Sequence, residues 1–159
     1  MGRVVFIFIL AAFMAAAGYD LFPPTAGARA AEPFERDVVD ILTGDGKRHR
    51  FRVEIVSTPA DRSQGLQGRR QLDPDAGMLF DFGVALPVYM WMKNTYIALD
   101  MIFIAPDGRI INIARATTPE SLAVIESSGP VMAVLEVPAG TAARLGIKPG
   151  DRVEHRIFR

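Results

Sequence analysis

The chain has 159 residues, with 18 basic and 18 acidic side chains for a formal charge of zero, two His, one Trp and no Cys. The lack of Cys excludes a disulfide scaffold, a thiol nucleophile, a thiolate metal site and a lipid-modified Cys, and His49 and His155 alone are too few for a His-based metal centre. The balanced charge removes the electrostatic case for nucleic acid or anionic lipid as a partner.

The N-terminus carries export signals. Arg3 provides a short basic region, residues 4–18 form an apolar and small-residue run of 15, and Ala28-Arg29-Ala30 is an A-x-A site. Residues 1–30 are therefore expected to be a signal peptide cleaved before Ala31, giving a periplasmic or secreted protein. The competing reading, a retained anchor, needs a run of roughly 20 residues. Cleavage would leave no membrane span, and the remaining 129 residues would carry 16 basic and 17 acidic side chains, the signal having taken Arg3, Arg29 and Asp20.

Residues 31–36 read as a flexible lead-in, and residues 37–159 as one β-rich domain long enough to bury about two-thirds of its unfolded surface. A first strand over residues 37–42 is expected to pair across Thr43-Gly44-Asp45-Gly46 with a second over 50–55. There Phe51, Val53 and Ile55 alternate with charged residues and so share one face. Thr58-Pro59-Ala60-Asp61 combines an N-cap, a proline at the first helical position and a carboxylate that reaches back to the cap. It predicts a short helix ended by Gly65 or Gly68.

Further strands are expected over 78–82, 88–92, 99–105, 109–116, 131–137 and 152–158. Pro106-Asp107-Gly108 should form a hairpin turn, and a second short helix is expected from Thr141 to Leu145, stopped at Gly146. Many short strands with two short helices predict a mainly β fold, a compact closed or partly open barrel or sandwich.

One set of words resembles a family. Val53-Glu54-Ile55, Arg62 with Gly65-Leu66 and Arg69, Gly77-Met78-Leu79-Phe80, Trp91-Met92-Lys93-Asn94-Thr95, Leu99-Asp100-Met101-Ile102-Phe103, Pro119-Glu120-Ser121, Leu135-Glu136 and Gly150-Asp151 resemble domain of unknown function 192. The resemblance runs from about Phe51 to Val153. It implies a compact, mainly β fold, commonly in short exported bacterial or archaeal proteins, and no established activity. The chain departs from the family in having Gln67 after Gly65-Leu66, where Met is usual.

Several residues invite a chemical role, each beside a structural one. Trp91 at a strand end is either a core or rim plug or a stacking platform for a sugar or aromatic ligand. Lys93-Asn94-Thr95 is either a backbone-bonded turn or a corner whose Lys93 holds a carboxylate or phosphate. Arg62 and Arg69 either converge on Lys93 as an anion pocket or pair internally, with Asp100 and Glu136 as obvious acids. Those two carboxylates lie in apolar strands, where an unpaired charge is costly, so each should be paired, hydrogen-bonded or functional. His49 and His155 alternate with arginines and are expected to face solvent. The serines lack a His partner for nucleophilic catalysis.

The leading expectation is an exported barrel that binds a small polar or anionic ligand near the corner over residues 91–95. Arg62, Arg69, Trp91, Lys93, Asn94, Thr95, Asp100 and Glu136 are its candidate residues, with no metal or cofactor. Alternatives are a cofactor-free carbohydrate enzyme using Asp100 and Glu136, or a structural module that recruits a protein partner.

Overall fold

The computed structural model describes residues 34–158, so the expected signal peptide and residues 31–33 of the lead-in lie outside the described residues. The elements are β1 (Glu35–Leu42), β2 (Arg48–Val56), α1 (Pro59–Gln64), β3 (Ala76–Leu86), β4 (Tyr89–Met90), β5 (Leu99–Ile104), β6 (Ile110–Ala114), β7 (Ile125–Glu126), β8 (Val131–Pro138), α2 (Thr141–Leu145) and β9 (Arg152–Glu154), then a 3₁₀ turn over Arg156–Phe158. Seven strands form one sheet in the order β6-β5-β8-β3-β2-β1-β9. Its edges meet: Arg109 bridges Arg152, the Ile110 N–H donates to the Asp151 carbonyl at 2.9 Å, and the Val153 N–H donates to the Gly108 carbonyl at 2.7 Å. The expected mainly β, barrel-like fold with two short helices is what forms.

Hairpin β1–β2 follows from the Thr43–Gly46 turn, where Gly46 takes φ 82° and its N–H donates to the Thr43 carbonyl at 2.8 Å. By contrast β2 and β3 are parallel, and a parallel pair requires a long crossover. That crossover carries α1, capped as expected by the Thr58 hydroxyl accepting from the Asp61 N–H at 3.1 Å. It lays the helix against one face of the sheet.

Both faces of the central strands are consequently covered, and all six residues of β5 are buried. Inside the barrel lie Val39, Ile41, Phe51, Val53, Leu79, Ile102, Leu135 and Val137, with Ala142 of α2 among them. On the other face Met78, Phe80, Met101, Phe103 and Val134 pack under Leu66, Val88 and Met92, which come from the crossover and from the chain after β3. This second core is the floor of the candidate site.

Three expectations change. The strand expected at 88–92 shrinks to Tyr89–Met90, which leaves the main sheet and pairs with β7, a strand not anticipated. The last strand stops at Glu154 and continues as a 3₁₀ turn. His155 is buried rather than solvent-facing, because it keeps the inward phase of Val153. Its Nε2 sits 3.1 Å from the Asp37 carboxylate. His49 shares the inward phase of Phe51 and is half-buried, with Nε2 unpartnered among the described residues.

Candidate functional site

Residues 88–93 keep a period of two although little of the segment is paired. Val88 and Met92 turn into the second core, while Tyr89, Trp91 and Lys93 face out. The segment is a flap held over the sheet at both ends. The Val88 N–H donates to the Ser127 hydroxyl at 2.9 Å, and the Met92 N–H to the Ser121 carbonyl at 3.0 Å. Trp91 is 54% exposed and Tyr89 66%, so neither plugs the core.

After the flap, Met92 to Thr95 form a turn closed by the Thr95 N–H on the Met92 carbonyl at 3.0 Å. Asn94 occupies the left-handed region at φ 55°, which Asn tolerates better than most side chains. The corner is then tied to the tail of α1. The Gly68 N–H donates to the Asn94 carbonyl at 2.9 Å, and the Asn94 Nδ2 to the Gln67 Oε1 at 3.2 Å. Gln67, the departure from the family word, is thus the side chain that joins helix to corner.

Between α1 with its tail and the flap opens a cleft of about 320 Å³. Arg62, Gln64 and Gln67 line one wall, Tyr89, Trp91, Lys93 and Thr95 the other, Phe80 and Phe82 of β3 the back, and Glu136 of β8 the floor. Arg62 donates to the carbonyls of Ser57 and Asp81, and its guanidinium lies 5.1 Å from the Phe82 ring centroid. It therefore straps α1 onto β3 while bordering the cleft. Lys93 is exposed and makes no ion pair among the described residues.

Glu136 is 4% exposed and has no hydrogen-bond partner among the described residues, so burial alone pushes its carboxyl up to about 8. At neutral pH it is a neutral acid at the base of the cleft, a donor as well as an acceptor.

Of the eight residues expected to form a site, Arg62, Trp91, Lys93, Thr95 and Glu136 line the cleft, and Asn94 braces it through its bond to Gln67. Arg69 does not join them; it pairs with Glu54 beside a separate surface groove. Asp100 points the other way. Met101 is the cross-strand partner of Glu136 and Asp100 that of Val137, an inner-core residue, so the two carboxylates occupy opposite faces of the sheet. Asp100 is fully buried, and its oxygens accept from the Ala116 and Ala142 N–H groups, each at 2.8 Å. It fixes α2 at the barrel end, and its partners are backbone donors rather than the arginines expected.

Among the lining residues that sequence reasoning left out of the site are Gln64, Gln67, Phe80, Phe82, Tyr89 and Met90. Only Tyr89 carried a readable signal, its shared phase with Trp91 and Lys93.

Comparisons agree with this architecture. The family model of DUF192, described as "Uncharacterized ACR", matches residues 40–155. A crystal structure of a protein from Sinorhizobium meliloti 1021, provisionally named a transcription regulator, is 50% identical, covers 79% of this chain and 97% of its own, and superposes with a TM-score of 0.77. A protein of unknown function from Novosphingobium aromaticivorans DSM 12444 is 38% identical, with 87% and 94% covered and a TM-score of 0.74. No curated protein matches. With the family model spanning nearly all the described residues and two solved relatives well above 30% identity, the chain belongs to the DUF192 family.

Proposed function

We propose that this protein is an exported binding module whose site is the cleft between α1 and the flap, taking a small polar or anionic ligand. The observation that carries the reading is Glu136: an acid with no partner among the described residues on the floor of an aromatic-walled cleft, with Lys93 and Arg62 at its sides. Export rests on the basic, apolar and A-x-A order of residues 1–30.

The two-carboxylate enzyme reading loses support, since Asp100 and Glu136 face apart. A regulator's role on DNA finds little support either. The two α-helices among the described residues, of six and five residues, are short for reading a groove, and the charge is balanced. A second reading, recruitment of a protein partner, is favoured by exposed apolar side chains on the flap and on the segment facing it: Tyr89, Trp91, Leu122 and Val124.

The discriminating experiment is a thermal-shift screen of sugars, carboxylates and phosphates on wild type, Lys93→Ala and Trp91→Ala. A ligand at about 100 times its dissociation constant adds roughly 2.7 kcal/mol of stability. Both variants should lose that gain. Both should otherwise melt close to wild type, because each removes an exposed side chain. A screen without hits, or hits that stabilise Lys93→Ala and Trp91→Ala as much as wild type, would leave the protein-partner reading in its place.

A further inference from the structure

Glu136 occupies a position where an apolar side chain would cost nothing in desolvation. Its cross-strand partners are Met78 and Met101, and Val134, two residues before it on the same face, belongs to the second core. A partnerless acid in that setting opposes folding, and such departures from local consistency concentrate at functional sites.

The titratable groups that share the cleft lining with Glu136 are Arg62 from α1, Lys93 from the corner and the Tyr89 phenol from the flap; no second acid is among the described lining residues. The cleft therefore presents two cations and one neutral acid, an arrangement for an anion. Arg62 already serves two carbonyls, which leaves Lys93 as the cation with no bond to a described residue. One such charge suits a monoanion better than a phosphate. A carboxylic acid donating to a carboxylate forms a short, charge-assisted bond. Phe80, Phe82, Met90 and Trp91 offer apolar contact to a carbon skeleton.

We infer that the cleft takes a small organic carboxylate, with the Glu136 carboxylic acid donating a hydrogen bond to the ligand's carboxylate and Lys93 balancing its charge. The inference rests on the cleft being the ligand site. It also makes binding proton-dependent, because an ionised Glu136 would repel the ligand and lose its donor.

The test is calorimetric titration with glucuronate and benzoate, beside their uncharged amides glucuronamide and benzamide, inorganic phosphate and glucose, at pH 6.5 and pH 9. Glu136→Gln keeps the size and neutrality of the acid but cannot ionise. A carboxylate should bind at least tenfold more tightly than its amide and than phosphate. Wild type should lose about tenfold in affinity between the two pH values as Glu136 ionises, and Glu136→Gln should lose little. Amide, phosphate or glucose binding as strong as that of the carboxylates overturns the inference, and so does the same pH profile in wild type and Glu136→Gln. Either result would leave a cleft that binds something else. Failure of every compound to bind would remove the ligand-site reading along with it.

Discussion

At the scale of single residues, Glu136 makes stability depend on pH in an unusual direction. Its carboxyl has an ordinary value of 4.5 when unfolded and about 8 when folded, so between these limits the folded chain binds the extra proton. Stability is then complete below pH 4.5, falls as pH rises toward 8, and above that has lost roughly 5 kcal/mol. Glu136→Gln, which carries no ionisable group, should therefore be more stable than wild type by about 3 kcal/mol at pH 7 and nearly equal to it at pH 4.5. Urea unfolding of the pair across that range measures the difference, and a constant gap would mean that Glu136 is not desolvated. The apolar flanks of Asp100 and Glu136 made both legible as buried carboxylates. Which face each occupies was not legible, because it depends on the register of β5 against β8, which no local period encodes.

Among the elements, the hairpins and helices with turn chemistry were readable. Thr58-Pro59 opens α1, α2 spans the expected Thr141–Leu145, and Pro106-Asp107-Gly108 turns β5 into β6. The flap's alternation was readable, but its departure from the main sheet and its pairing with β7 were not, since a two-residue strand such as β7 carries no period and both owe their place to the core beneath them. Parallel pairing of β2 with β3 was equally hidden, because it joins segments separated by the crossover. Gly108 matters twice over: it holds φ 82° in the hairpin, and a Cβ there would lie 2.4 Å from the Val153 carbonyl oxygen at the seam of the barrel. Gly108→Ala should cost at least about 2 kcal/mol through left-handed strain and the lost seam bond. The Ile110 and Val153 amides should exchange faster with solvent than those of β2. Unchanged protection would show that the seam does not contribute to closing the sheet.

For the molecule as a whole, the barrel is a support and the cleft is added to its outer wall. The crossover supplies one side, the flap the other, and Glu136 on β8 the floor. A mainly β barrel followed from the strand pattern, whereas the cleft depends on which outer face the crossover covers and appears only once the chain is folded. The order of residues 1–30 predicts export with cleavage before Ala31. N-terminal sequencing of protein from the periplasm should begin at Ala31, and full-length chain in the membrane fraction would overturn this. The most direct test of the binding account is backbone-amide chemical-shift mapping with the strongest hit of the ligand screen. The shifts should gather on residues 62–67, 80–82 and 89–95, with the Trp91 indole N–H among the largest. Shifts gathered instead on the arginine-rich groove around Asp37, Arg50 and Arg156, leaving the cleft unmoved, would contradict it.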